Sequence, residues 1–195
     1  REIIEDYSAI PRYLQQQYGL KDGENHGRLW RLVHDGMPEG HPSFDMARLN
    51  SLELAREVGS HRFWRRQTAR RLLVERGQTD KATLDTLVKW VKEPQDGAVA
   101  INALYTLDGI GRLTAEMVSS SLGSSEPGVR RHALRLAENR FALSESLLKA
   151  VVEMVDDKSE MVRLQLALSL GESADPRATA ALAHLVIRYG DDEWL

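Results

Sequence analysis

The sequence predicts an all-α protein, an α-solenoid of helical hairpins with a short N-terminal extended segment, and three observations carry that prediction. From residue 43 onward, apolar residues recur at the spacing of a helix and not of a strand. Four of these segments share one pattern of small and large residues, and their starts lie roughly 30 to 35 residues apart, the period of a repeated helix pair.

Composition sets the frame. The chain has 195 residues, 42% of them hydrophobic and 28% charged, the balance of a folded globular domain. A net charge of -3 gives no global attraction to nucleic acid or to anionic lipid. With no cysteine, disulfides, thiolate catalysis and zinc-thiolate sites are excluded. No apolar run approaches the roughly 20 residues of a membrane-spanning helix, so no membrane insertion is expected.

Residues 1–42 differ in texture from residues 43–195, holding five of the fourteen glycines, three of the six prolines and three of the six histidines in about a fifth of the chain. "SAIPRYLQQQYG" reads as a short helix after Pro11. "HGRLWRLV", His26 to Val33, alternates between turn-forming stretches and reads as one strand, which needs partners outside itself to complete a ladder. A domain boundary is therefore expected at residues 42 and 43.

From residue 43 the chain reads as helices of about ten to fifteen residues. Starts are marked by Ser51, Ser60, Asp80, Thr114, Ser144, Ser159 and Asp175-Pro176, whose side chains suit the unpaired amides of a first turn. Stops are marked by Gly59, Gly77, Gly109, Gly123, Gly171 and Gly190, where a left-handed residue closes the last turn. The first helices of the four units are "WRRQTARRLL", "VAINALYTLD", "VRRHALRLAE" and "VRLQLALSLG". Aligned on Trp64, Val99, Val129 and Val162, they bring Thr68, Ala103, Ala133 and Leu166 into register four places on. Each is followed by a second amphipathic helix, within "ATLDTLVKWV", "TAEMVSSSL", "SESLLKAVVEMV" and "RATAALAHLVI". "DDEWL" falls where a fifth unit would begin.

These units resemble HEAT-like repeats of the short kind found in phycobilisome-lyase-type proteins, whose first helix opens with Val-Arg. Val129-Arg130 and Val162-Arg163 match that opening, and Trp64-Arg65 matches with an aromatic in place of valine. The resemblance implies that Arg65, Arg130 and Arg163 tie the inter-repeat turns together, with Glu126, Asp156 and Asp157 at hand. Val99-Ala100 departs from the pattern, so regular stacking is expected to be weakest in the second unit.

A narrower resemblance spans most of the chain. "NHGRLWRLV", "FWRRQTARRLLVERG", "INALYTLDGIG" and "RRHALRLAE" together look like the join between propeller and helical repeats in large exported bacterial proteins of the membrane-bound-dehydrogenase type. Those combine a sorbosone- or glucose-dehydrogenase-like propeller with HEAT-like repeats and often a c-type haem domain. The resemblance implies that residues 1–42 are the tail end of an upstream propeller-like domain plus a linker, with Gly27 to Val33 as its closing strand, and that the parent is exported and redox-associated, with its catalytic and haem residues outside these 195 positions.

For function, the sequence favours a non-catalytic scaffold or protein-interaction module, binding a protein partner or neighbouring domains of the same chain. Catalytic, cofactor and metal residues are expected to be none. The second helices are expected to carry the partner face, with Lys89, Lys92, Glu116 and Lys149 as its candidates. The basic helix adds the row Arg62, Arg66 and Arg70, spaced four apart on one side, while Phe63 and Trp64 are assigned to the core or its margin. Two other functions remain open. The repeats would shape the substrate or electron-transfer site of a sugar-dehydrogenase-like oxidoreductase, or the arginine helix would bind nucleic acid. The latter is disfavoured because the second unit has no cation from Ala98 to Gly111.

The remaining motifs have plainer readings. The six histidines lack the spacing of a zinc site. "DGIGR" has no preceding strand and reads as a helix stop. Trp90 and Tyr105 lie at core spacing. Because a cut repeat and a lone strand leave surface unpaired, the isolated chain is expected to self-associate.

Overall fold

The computed structural model describes residues 10–19, 36, 45–77 and 79–191. The chain divides into two compact units, 1–43 and 44–195. In the first, α1 (Arg12–Gln17) follows Pro11, which stands just before the helix with its φ of -53 already set for a helix start. Gln15 Nε2 donates to the Ile10 carbonyl at 2.7 Å and closes the entry turn. The strand expected at His26 to Val33 lies outside the described residues, as does the expected fifth unit beyond residue 191.

The second unit is a run of helices: α2 (Ser51–Val58), α3 (Phe63–Arg76), α4 (Lys81–Lys92), α5 (Gly97–Gly109), α6 (Ala115–Leu122), α7 (Pro127–Ala137), α8 (Glu145–Val152), α9 (Glu160–Gly171) and α10 (Pro176–Tyr189). They pack in two layers. The helices α3, α5, α7 and α9 lie side by side as the first-helix layer, and α2, α4, α6, α8 and α10 form the second-helix layer. No strand occurs among the described residues, and the architecture is an all-α, HEAT-like solenoid.

Several helix starts follow the side-chain chemistry of capping. Asp80, Thr114 and Ser144 accept from the backbone N–H three residues on, and Asp175 accepts from Arg177 N. Elsewhere the cap moves. Asn50, not Ser51, caps α2 in a reciprocal box with Glu53, and Asp96 caps α5 through Val99 N at 2.8 Å. Ser60 accepts from Arg62 N in the turn before α3, and Ser159 precedes α9 with no side-chain bond to its amides.

The glycine stops work mostly by another route than the expected one. Only Gly77 closes its helix in the left-handed region, at φ 65, while Gly59, Gly109, Gly123, Gly171 and Gly190 do not. Gly59 is needed for close approach instead. A Cβ there would lie 2.4 Å from Cζ2 of Trp90, whose Nε1 donates to the Ala55 carbonyl at 3.0 Å and pins α4 against α2.

The core runs continuously through both layers. In α5, Val99, Ala103, Leu104 and Leu107 are buried; in α7, Val129, Ala133, Leu134 and Ala137; in α9, Val162, Leu166 and Leu170. Alternation of alanine with leucine lets adjacent first helices approach closely, and each fully buried leucine contributes about 1.5–3 kcal/mol. The second unit, where the arginine is missing, is nonetheless packed: Ala100, at the arginine position, is itself buried together with Val99, Ala103, Leu104 and Leu107.

Candidate interaction surface

Each inter-repeat turn leaves backbone carbonyls pointing inward, and an arginine in the following helix can satisfy one of them. Arg130 Nη1 donates to the Ser124 carbonyl at 2.9 Å, and Arg163 Nη1 to that of Asp157 at 2.7 Å, each reaching six residues back. In the first unit the same bond is made by Arg66, to the Ser60 carbonyl at 2.8 Å. The turn-tying arginine of that unit is thus Arg66 and not Arg65. Arg65 instead faces Glu57 of α2 at 3.4 Å.

The one-residue shift corrects the rest of that helix. Ala69 and Leu73 form its buried stripe with Arg66, which is 7% exposed, while Phe63 and Trp64 stand in solvent at 70% and 60%. The shift follows from helix geometry: a guanidinium that reaches back to its own turn puts positions three and seven further on against the neighbouring helix. The row of Arg62, Arg66 and Arg70 therefore does not form one free surface. Arg62 is the exposed residue before α3, Arg66 is buried, and Arg70 lies half-buried with its guanidinium 5.5 Å from the centre of the Tyr105 ring.

Arg130 does more than tie its own turn. Its Nε and Nη2 each donate at 2.7 Å to the two carboxylate oxygens of Asp157, so one guanidinium joins the turn before α7 to the turn before α9. Burial pushes the Asp157 carboxyl up, but hydrogen bonds from Arg130 and the Ser159 amide, with the charges of Arg130 and Arg163, leave it below the ordinary range. Glu126 takes no part in this network. Asp156 serves α10 instead, accepting from the Tyr189 hydroxyl at 2.9 Å with Arg188 3.2 Å away. The hydrogen bond from Tyr189 holds its carboxyl below the ordinary range against a weaker effect of burial. Tyr189 in turn lies under Arg163, 4.2 Å from the guanidinium carbon.

At Arg66 the corresponding fork is unfilled. Three residues before the helix start, where the turn before α9 has Asp157, the turn before α5 has Pro94, which offers no carboxylate. Arg66 Nε is buried without a hydrogen-bond partner.

The first-helix layer also carries polar rungs between repeats that a reading unit by unit misses. Gln67 donates to Asn102 at 2.9 Å, Tyr105 Oη lies 3.0 Å from His132 Nδ1, and Ser169 donates to Glu138 at 2.7 Å, with Gln165 at 3.2 Å from the same oxygen. Aligned on the arginine position, Asn102, His132 and Gln165 occupy one place, two residues on. That alignment was the available signal. Burial, aided by the charges of Arg131 and Arg135, lowers the His132 pKa and favours the neutral ring.

In the second-helix layer, Lys89 and Lys92 of α4 and Lys149 of α8 are exposed, as is Glu116 of α6 between them. None of these lysines has a carboxylate partner among the described residues. No helix among those residues is long and apolar enough to cross a membrane, and they hold no group of three metal-ligating side chains.

Fold and turn chemistry together define an all-α helical-repeat architecture of HEAT-like form. Residues 115–194, from the start of α6 through α10, match the HEAT repeats family, so the chain carries a HEAT-like repeat region, an architecture of scaffolds and protein-interaction modules. No curated protein matches the sequence.

Proposed function

We propose that this chain is a non-catalytic scaffold that presents its exposed helix faces to a protein partner or to neighbouring domains, within a larger exported protein of the dehydrogenase-like type. The observation that carries the scaffold reading is the unbroken core from α2 to α10, joined across turns by the Arg130 and Asp157 fork. Such a stack transmits a fixed spacing because each unit is held by its neighbours. Support for the parent protein comes from the sequence resemblance alone, through "NHGRLWRLV" and the helices that follow it.

The test removes residues 44–195 from the protein that carries them and follows two readouts. Retained turnover with a soluble electron acceptor, together with loss of partner co-purification, supports the scaffold. Lost turnover with assembly intact refutes it and favours a repeat region that shapes the redox site.

A further inference from the structure

A groove of about 160 Å³ lies between α7 and α9, with Arg131, His132 and Arg135 on one wall and Met161, Leu164 and Leu168 on the other. We infer that this groove docks a short acidic segment of a partner protein, one apolar side chain entering against Met161 and Leu168 while flanking carboxylates meet Arg131 and Arg135. The inference rests on the interaction-module reading and names the chemistry of the partner.

Both halves of the recognition are present in the structure. Leu168 is 60% exposed and Met161 39%, an aliphatic wall left open beside a cavity with room for one side chain. At the positions equivalent to Leu168, two of the other three first helices have arginine, Arg71 and Arg135, so the open leucine belongs to this unit and not to the repeat.

The cations opposite have no anion of their own. Neither Arg131 nor Arg135 has a carboxylate partner among the described residues, and two acids of the adjoining first helices are engaged elsewhere. Glu138 accepts from Ser169 and Gln165, and Asp108 pairs with Arg140. His132 is kept toward its neutral form and shares its Nδ1 with Tyr105, so the groove's positive charge resides on the arginines.

Geometry sets the spacing of the ligand. Arg131 and Arg135 are four residues apart on one helix, about one 5.4 Å turn, which matches carboxylates four apart on a helix or two apart on an extended strand. An acidic peptide fits better than RNA, since the open wall of Met161 and Leu168 is aliphatic and the one aromatic ring lining the groove, His132, is already engaged edge-to-face with Tyr105.

The test uses the full chain and fluorescein-labelled acidic peptides with one central leucine, read by fluorescence anisotropy at low salt. Controls are the same peptides with leucine replaced by serine or glutamate by glutamine. Binding that weakens at least tenfold in the controls, in R131E/R135E and in both Leu168→Glu and Leu168→Gln, supports the inference. The substituted residues are exposed or half-buried, and unchanged circular dichroism confirms that the fold is kept. Absence of binding, or binding unaffected by these changes, overturns it. Preference for a single-stranded RNA probe overturns it too, as does a concentration-dependent dimer abolished by Leu168→Glu, which would make a second copy the occupant. Binding lost only in a Lys89, Lys92 and Lys149 charge-reversal variant also overturns it, while leaving the interaction-module reading intact.

Discussion

Asp157→Ala is the perturbation that most directly tests how the repeats are held together. It removes two hydrogen bonds from Arg130, at 2.7 Å each, and the bond from the Ser159 amide at 2.9 Å. The pair is well shielded, with side chains 14% and 8% exposed, so surface-pair values of under about 1 kcal/mol do not apply. Stranding a buried charge costs about 3–5 kcal/mol. Arg130 would not be fully stranded, since Nη1 keeps the Ser124 and Ser125 carbonyls. The expected loss is therefore about 2–4 kcal/mol, a fall in melting temperature of roughly 4–16 °C for a chain of this length. Urea and thermal unfolding followed by circular dichroism measure it, and hydrogen exchange should show α9 and α10 opening ahead of α3 to α7. A double-mutant cycle with Arg130→Ala should return a coupling of about 2 kcal/mol. A loss within about 0.5 kcal/mol of the unsubstituted chain, or a strictly additive cycle, would refute the account of Arg130 as the link between turns.

Other expectations follow from the same contacts. Because the Asp157 carboxyl is held below its ordinary range, its contribution is complete above pH 3.8 and is lost as pH falls further, so Asp157→Asn should flatten the acid limb of the stability profile. His132 has the opposite charge type but the same direction with pH: its folded pKa lies below 6.5, so protonation opposes folding and stability should decline as pH drops below that value, with histidine NMR titration locating the step. Gly59→Ala places a Cβ against the Trp90 ring and should cost about 1–3 kcal/mol with a shift in tryptophan emission. Pro94→Asp supplies the carboxylate that the unfilled Nε of Arg66 lacks and should raise urea stability by about 1 kcal/mol. Trp64→Ser, at an exposed site, should change stability by less than about 0.5 kcal/mol, against several kcal/mol for a core tryptophan.

How much of this is legible in the sequence depends on whether a feature repeats in period or only in space. The solenoid is legible because alanine and leucine recur at Ala103, Ala133 and Leu166, and a helix that buries one stripe must place them on a neighbour. Asp80, Thr114 and Ser144 are legible because capping is local. The register of α3 is not: "WRRQTARR" offers two adjacent arginines, and both frames place apolar residues at helical spacing. What decides between them is the Ser60 carbonyl, which accepts from Arg66 and fixes the rotation of the helix, turning Trp64 to solvent. A tryptophan looks like core by its transfer energy, yet one backbone bond to a buried guanidinium, together with Ala69 and Leu73 against the neighbours, outweighs it. The groove between α7 and α9 is hidden for a related reason. Arg131 and Arg135 stand without a carboxylate partner while Glu138 and Asp108 are engaged with Ser169, Gln165 and Arg140, a fact of three-dimensional pairing that no spacing along the chain records. In a repeat protein the repeated frame is thus what sequence shows best, and the departures from it, Pro94 beside Arg66 and Leu168 opposite Arg135, are where individual function has to be sought.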